Sequence, residues 1–158
     1  MRLSQVLPES AIAFGLEGLD KWGVIGRLTD LLVESGQAKP EWRDPILSGL
    51  LERERQCSTG MQDGFAIPHS RMDEPIQSTL VSLAIVRDGL PFDAIDGQPT
   101  RVVVCLITPK KQNREHLRVL GCIAQLFDGA AFRAKLLEAT TPAEVLAVIR
   151  AEEERIGS

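Results

Sequence analysis

The chain has 158 residues and a formal net charge of −4, and hydrophobic and charged residues make up 44% and 25% of it. This composition is typical of a globular protein, and the length is sufficient for one domain with a substantial core. The densest basic group is Lys110, Lys111 and Arg114, and Glu115 follows it directly. Because basic residues form no larger patch, the charge pattern argues against a nucleic-acid partner.

Nothing in the sequence predicts a membrane segment or a secretion signal. The longest apolar runs, 80–86 and 102–107, have the length of a strand and are too short for a spanning helix. The N-terminus lacks the apolar stretch and cleavage site of a signal peptide. We therefore expect a cytoplasmic protein with no direct membrane insertion.

The cysteines predict neither a disulfide framework nor a metal site. They are Cys57, Cys105 and Cys122, an odd number at wide spacing, without the close-set ligand pairs of a zinc site. Cys105 lies in a strand-like run and Cys122 in a helical pattern, so we expect buried thiols. No metal or cofactor is expected.

Two helices are predicted in the N-terminal part of the chain. Apolar residues recur at helical spacing from Asp20 to Ser35, and Gly36 is expected to end this helix. A second helix is predicted to begin at Pro40, because proline is favoured in the first helical turn. One stripe of the second helix contains Trp42, Ile46, Leu50 and Arg53.

The middle of the chain has the pattern of β-strands. The continuous apolar runs 80–86 and 102–107 predict two buried strands, with turns at Asp88-Gly89 and Asp96-Gly97. Upstream, Phe65, Ala66 and Ile67 alternate as in a short strand. Pro68 keeps the chain extended, so His69 is expected where this strand gives way to a loop.

The C-terminal part returns to helical spacing. A helix is predicted from Asn113 as N-cap, which places His116 at the third helical position. Thr141 and Glu144 form a capping box that opens a last helix. Helices around two buried strands predict one domain over 1–158. Its fold class is an α/β single-domain sandwich with a mixed central β-sheet flanked by helices on both faces.

His69 is the first candidate for chemistry. A neutral imidazole has a free ring nitrogen and can act as nucleophile, base or metal ligand. The alternative is that His69 is only a loop-entry residue without a chemical role. Arg53 and Arg71 precede and follow it, and the planar guanidinium suits a phosphate. The alternative for Arg53 is a solvated ion pair with a glutamate on its own helix.

Four segments of the chain carry a more specific pattern: "LDKWGVIGRLTDLLVESG", "LLERER…STGMQDGFAIPHSR", "GLPFDAIDGQPTRVVVCLITP" and "NREHLRVLGCIAQLF". In this order and spacing they resemble the fructose/mannitol-type enzyme IIA domains of the bacterial phosphotransferase system and their nitrogen-regulatory relatives. The second segment resembles the family's active-site signature, and the fourth resembles the helix with its second histidine. The resemblance spans nearly the whole chain.

The resemblance implies roles for particular residues. His69 matches the phosphorylated histidine, Arg53 the arginine that supports the phosphate, and His116 the second active-site histidine. Thr59 matches the threonine of the turn. Without the family, His116 has an equally good interpretation as a core-edge histidine packed over Leu120.

Arg71 and Asp63 are predicted, together with Thr59, to support the phosphate site. The family usually has glycine at the position of Gln62 and a polar residue such as asparagine or histidine at that of Asp63. The first change puts the backbone of the turn in question. The second adds a carboxylate that opposes a phosphoryl group unless it points away or accepts a hydrogen bond from an imidazole.

The function implied is that of a phosphohistidine carrier. His69 is expected to accept a phosphoryl group from the phosphocarrier protein HPr and to pass it to a IIB domain or to signal to a regulatory target protein. The nitrogen-type regulator is slightly favoured, because no IIB or membrane segment is fused to this sequence. The sugar-transport subunit remains open.

Two other classes of function are weighed against the carrier. In the first, Gln62 and Asp63 mark a phosphorylation-incompetent interaction module of the same fold, but the retention of His69, Arg53 and His116 argues against it. The second is a metal-dependent hydrolase built on both histidines and Asp73. Two histidines are few for such a centre, and the sequence has no HExxH motif.

Overall fold

A mixed five-stranded sheet forms the centre of the computed structural model, which describes residues 2–157. The helices are α1 (Leu3–Val6), α2 (Lys21–Glu34), α3 (Arg43–Gln56), α4 (Asn113–Asp128), α5 (Ala130–Glu138) and α6 (Pro142–Gly157). The strands are β1 (Ile12–Ala13), β2 (Phe65–Ala66), β3 (His69–Met72), β4 (Leu80–Leu90) and β5 (Thr100–Pro109). Short 3-10 turns at Glu9–Ala11 and Pro40–Trp42 precede β1 and α3.

The strand order places the long strands inside the sheet. β4 and β5 pair antiparallel, β1 lies parallel on the free side of β4, and β2 and β3 lie parallel on the free side of β5. β2 and β3 follow one another along the same edge, with Phe65 opposite Val102 and His69 opposite Leu106. This register carries His69 towards the end of β5, from which the chain enters α4.

Helices cover both faces of the sheet, as the sequence predicted. Alternate residues of β4 and β5 point to opposite faces, so Leu83 and Val104 join a core with α1, α4, α5 and α6. Ala84 and Val103 join a second core with α2 and α3. The α/β sandwich with a mixed central sheet is therefore confirmed, including the burial of 80–86 and 102–107. Within residues 2–157, no helix is long and apolar enough to cross a membrane.

Side-chain caps open two of the helices, and the second of these caps was predicted from the sequence. The Asp20 side chain accepts a hydrogen bond from the Gly23 N–H at 2.8 Å and opens α2. The Thr141 hydroxyl accepts one from the Glu144 N–H at 3.1 Å and opens α6. Pro40 begins a 3-10 turn instead of the second helix itself, which starts at Arg43.

The prediction of a turn at Asp88-Gly89 is wrong. β4 continues to Leu90, and its pairing with β5 resumes at Leu90 and Thr100 after an irregularity that follows Ile85. Gly89 adopts a φ of +77°, a conformation that glycine supplies at little cost, within this irregular stretch. The strand therefore passes through the sequence that favours a turn and pairs with β5 again at Leu90.

Two helix and strand boundaries near the site also differ from the prediction. Gln112, not Asn113, is the N-cap of α4, so His116 is the fourth helical residue and its N–H donates to the Gln112 carbonyl at 3.0 Å. His69 begins β3 instead of leading into a loop, because β5 pairs with the chain again after Pro68. Both histidines are consequently held by regular structure.

The cysteines are less buried than expected. Cys105 is buried in the sheet, whereas Cys122 is only half-buried and Cys57 is exposed. Cys122 lies at the flank of the buried stripe of α4, beside Val119 and Ile123. The helical pattern alone did not define the edge of that stripe.

We expect Gly60→Ala to destabilise the protein by about 1–3 kcal/mol, the usual cost of overpacking a tight contact. A Cβ at this position would lie 2.8 Å from both Ala94 Cα and the Phe92 carbonyl oxygen, which are backbone atoms of a neighbouring loop. Gly121→Ala is the control, since that helical position is open and alanine there should stabilise by about 0.5–1 kcal/mol. Urea unfolding followed by tryptophan fluorescence measures both changes, and equal stability of the two variants would contradict the prediction.

Candidate functional site

The His69 ring is held in one orientation by its own backbone neighbourhood. Nδ1 lies 2.7 Å from the Ile67 carbonyl oxygen, and because a carbonyl only accepts, Nδ1 carries the proton of the neutral ring. Nε2 then keeps its lone pair. Burial lowers the pKa of His69 and outweighs the hydrogen bond to Ile67, which raises it, while the charge of Arg53 lowers it further. The imidazole is thus largely neutral at neutral pH.

His116 lies beside His69, with ring centroids 5.5 Å apart and planes tilted by 52°. It is buried at 7% exposure, and its Nδ1 is 2.7 Å from the hydroxyl of Thr108 near the end of β5. Burial lowers the pKa of His116, and repulsion from His69, whenever that ring is protonated, and from Arg71 lowers it further. His116 is therefore buried at the edge of the core and also lines a cleft next to His69.

An open cleft of about 680 Å³ brings the basic candidates together. It is lined by Arg53, His69, Arg71 and His116, and also by Lys110. The cleft is large enough for a phosphate-sized anion. Glu52 also lines it, so three cationic side chains, those of Arg53, Arg71 and Lys110, face one carboxylate.

Arg53 is delivered to the cleft by the close packing of α3 on β3. Gly49 permits this approach, since a Cβ there would lie 2.9 Å from the Ser70 hydroxyl oxygen. In the last helical turn, Arg53 Nη1 donates to the Cys57 carbonyl at 2.7 Å, which satisfies one of the carbonyls that a helix leaves open. The guanidinium is thereby anchored at one nitrogen beside His69.

Arg71 reaches the other side of the same cleft from β3. Its Nη2 donates to the Lys110 carbonyl at 3.3 Å and to the side chain of Asn113. Lys110 is itself 3.4 Å from Asp73. Among residues 2–157 no group of three or more His, Cys, Asp or Glu side chains is placed to hold a metal ion, so the geometry gives no support to the hydrolase alternative.

Thr59 and Asp63 are not among the residues that line this cleft. Thr59 is buried, and its N–H and hydroxyl donate to the two carboxylate oxygens of Glu54 at 3.0 and 2.7 Å. The Asp63 carboxylate lies 3.8 Å from Arg133 Nη1 on α5. Direct phosphate contact by either residue is therefore not supported by their contacts, and the carboxylate of Asp63 has a partner outside the cleft.

The unusual turn residues are accommodated by the backbone. Positive φ values occur at Asp63, with 66°, and at Gly64, with 82°, but not at Gln62. Aspartate tolerates this conformation better than most residues. The turn therefore needs no glycine at position 62, and the Asp63 N–H is held by the Asp96 carboxylate at 3.0 Å.

Two residues behind the site were not identified from the sequence. Thr108 fixes His116, and Glu54 holds Thr59. Thr108 carried a weak signal, as a polar residue at the end of an apolar strand. Glu54 sits in a run of alternating charges that reads as a solvated helix face, and no local pattern shows that it is buried.

We expect acid to destabilise the protein partly through these two histidines. Their folded pKa values lie below the unfolded value of about 6.5, so the unfolded chain binds more protons between those values and the unfolding free energy falls as pH drops through that window. Below both pKa values the loss stays constant. Denaturant unfolding from about pH 7.5 to about pH 5 should show a weaker pH dependence for His69→Asn and His116→Asn than for the wild type. An unchanged dependence in both variants would contradict this.

The chain is similar to known proteins over most of its length. The family model of the phosphoenolpyruvate-dependent sugar phosphotransferase system, EIIA 2, matches residues 5–152. The chain is 32% identical to a fructose-specific EIIA component of Haloferax volcanii, over 93% of this chain and 94% of that protein. It is also 32% identical to a nitrogen regulatory protein of Pseudomonas aeruginosa, over 89% and 90%.

A solved structure shows the same fold. The crystal structure of nitrogen regulatory protein IIA-Ntr from Neisseria meningitidis superposes with a TM-score of 0.82 and 29% identity, covering 92% of this chain and 97% of that one. The match of the family model over most of the chain and the shared fold lead to one assignment. The chain belongs to the EIIA type 2 family of the phosphoenolpyruvate-dependent sugar phosphotransferase system.

Proposed function

We propose that His69 is the residue of this phosphotransferase component that carries the phosphoryl group. The observation that supports this most is the 2.7 Å hydrogen bond from His69 Nδ1 to the Ile67 carbonyl. It leaves Nε2 unprotonated at the edge of a cleft lined by Arg53 and Arg71. A nucleophile that already has its lone pair needs no general base to remove a proton.

The proposed reaction exchanges one phosphorus–nitrogen bond for another. The donor is a phosphohistidine of HPr, whose P–N bond breaks while a bond forms between phosphorus and His69 Nε2. The proton on Nδ1 stays in place on its hydrogen bond to Ile67. Arg53 and Arg71 stabilise the charge on the phosphoryl oxygens, so the protein contributes position and electrostatics to an in-line transfer.

Labelling tests this function directly. The protein is incubated with phosphoenolpyruvate, enzyme I and HPr, and an acid-labile, base-stable adduct is expected that mass spectrometry places on His69. Omission of HPr is the control. Absence of an adduct on folded protein would favour the alternative, a phosphorylation-incompetent interaction module.

The next step of the pathway distinguishes a transport subunit from a nitrogen-type regulator. Fructose-specific and nitrogen-regulatory relatives show the same identity of 32% to this chain, so sequence similarity does not decide between them. Phosphorylated protein is mixed with a fructose- or mannitol-type IIB domain. Rapid transfer of the label to the IIB domain supports transport, whereas retention of the label supports regulation through another target protein.

We expect His116→Ala to keep labelling at His69 but to slow it by about 10- to 100-fold, the equivalent of one hydrogen bond to a charged group. His116 is fixed through Thr108 and lies within reach of a group on His69. Single-turnover labelling with phosphorylated HPr measures the rate, and circular dichroism checks the fold. Complete loss of labelling in a folded variant would contradict this prediction.

A further inference from the structure

We infer that Lys21, Glu54 and Thr59 form a buried network that positions His69 for phosphoryl transfer. The inference rests on the proposed role of His69. None of the three residues lines the cleft, so they are positioning residues that act through the backbone of Ile67.

Glu54 is the centre of this network. Its side chain has no exposed surface, and the Nζ atom of Lys21 lies 3.4 Å from Oε1. The N–H and hydroxyl of Thr59 donate to the two carboxylate oxygens. Burial of a charged group is unfavourable unless it is paired and hydrogen-bonded, and here each oxygen has a partner. A buried glutamate with these partners holds them in defined positions, which a solvated glutamate at a helix end does not do.

The network continues to the His69 ring by two backbone hydrogen bonds. The Ile67 N–H donates to the Thr59 carbonyl at 3.1 Å, and the Ile67 carbonyl accepts the proton of His69 Nδ1 at 2.7 Å. Any shift of Thr59 is therefore transmitted to the acceptor that selects the His69 tautomer. Because Glu54 follows Arg53 in the last turn of α3, the same anchor fixes the phosphate-binding guanidinium relative to the ring.

Lys21 ties the network to a third element. Its Nζ is also 2.9 Å from the Asp93 carboxylate and 5.5 Å from the centre of the Phe92 ring. The Ser58 hydroxyl donates to the Phe92 carbonyl at 2.6 Å, so the 92–93 loop is fastened to both α2 and the turn at Thr59. The turn is held from two sides, which limits the displacement that His69 can undergo.

Thr59→Val and Thr59→Ser test the inference as a pair. Valine keeps the β-branched shape and removes the hydroxyl that donates to Glu54, whereas serine keeps the hydroxyl. We expect Thr59→Val to slow labelling of His69 by phosphorylated HPr about 10- to 100-fold, as a small misplacement of a reacting group does, and Thr59→Ser to stay close to the wild type. Glu54→Gln is expected to act in the same direction as Thr59→Val.

Nitrogen-15 NMR of the imidazole rings provides a readout that loss of stability alone would not change. The chain has only two histidines, so the ring signals of His69 are assigned with the His116→Asn variant. The wild type should show His69 protonated at Nδ1, and Thr59→Val should show a mixture of tautomers. The control is Thr29→Val in α2, which removes a buried hydroxyl that donates to the Ile25 carbonyl far from the site. It should leave both tautomer and labelling rate unchanged.

The outcomes separate this inference from the function on which it rests. Wild-type rate and tautomer in Thr59→Val would overturn the positioning role while His69 remains the acceptor. Slow labelling with an unchanged tautomer would also overturn it, because the effect of Thr59 would then not pass through the hydrogen bond that holds the His69 ring. If the wild type is not labelled at all, the proposed function fails, and the tautomer of Thr59→Val still decides whether the network positions His69.

Discussion

His69→Ala is expected to abolish acid-labile labelling altogether. The substitution removes Nε2, and the nearest other imidazole is buried at 7% exposure with Nδ1 hydrogen-bonded to Thr108. Backbone and hydroxyl groups nearby do not form phosphoramidates. The measurement is phosphoryl incorporation from phosphoenolpyruvate through enzyme I and HPr, with the adduct located by mass spectrometry.

The fold of this variant is checked separately. His69 is half-buried and makes one backbone hydrogen bond, so its removal should cost only about 1 kcal/mol of stability. Far-ultraviolet circular dichroism and tryptophan fluorescence should therefore match the wild type. His116→Ala serves as the matched variant, since it also removes one imidazole. Full labelling of His69→Ala, or phosphate found on His116, would reverse the two assigned roles.

Arg53→Ala should reduce the rate of phosphoryl transfer to His69 about 100- to 1,000-fold, the usual effect of removing a preorganised charged donor from a reacting group. Arg53 lies beside His69 in the cleft and is anchored on the Cys57 carbonyl. The transfer rate of Arg53→Lys should lie between those of the wild type and Arg53→Ala, because an ammonium group supplies the charge without the planar fork of the guanidinium. The rates are measured by quenching labelling reactions with phosphorylated HPr at successive times.

Arg55→Ala provides the matched control for this prediction. It removes an arginine from the same helical turn, but Arg55 is 62% exposed and only 3.8 Å from Glu52 in a surface pair. Such pairs contribute at most about 1 kcal/mol, and we expect the transfer rate to remain that of the wild type. If Arg55→Ala slows transfer as much as Arg53→Ala does, general electrostatic attraction of the donor explains the effect instead of a specific contact.

The elements that were predictable from the sequence are those whose signals are local. The apolar period of α2, the Thr141 cap of α6 and the unbroken runs of β4 and β5 each depend on neighbours along the chain. The failures concern pairing between distant segments. β4 runs past Asp88-Gly89 to pair with β5 again at Leu90, and the chain becomes a strand again at His69, where it pairs with Leu106 of β5.

The candidate site was likewise predictable only in part. Arg53, His69 and His116 could be grouped from motifs and their resemblance to a family, and the structure places all of them around one cleft. The contacts behind them could not be predicted, since Lys21 and Glu54 are 33 residues apart and their charges look like ordinary surface residues. Only the fold shows that Glu54 is buried and that Thr59 is bonded to it.

The edges of the sheet offer little backbone to which a strand of another chain could pair. β1 contains two residues, and the opposite edge is divided by Ile67 and Pro68 into β2 with two residues and β3 with four. The long strands β4 and β5 are enclosed between these edges. Short edge strands and a proline interrupt the row of open backbone groups on which another chain could add as a strand. The sheet therefore offers another chain little opportunity for strand addition, and the cleft presents side chains instead of an open strand edge.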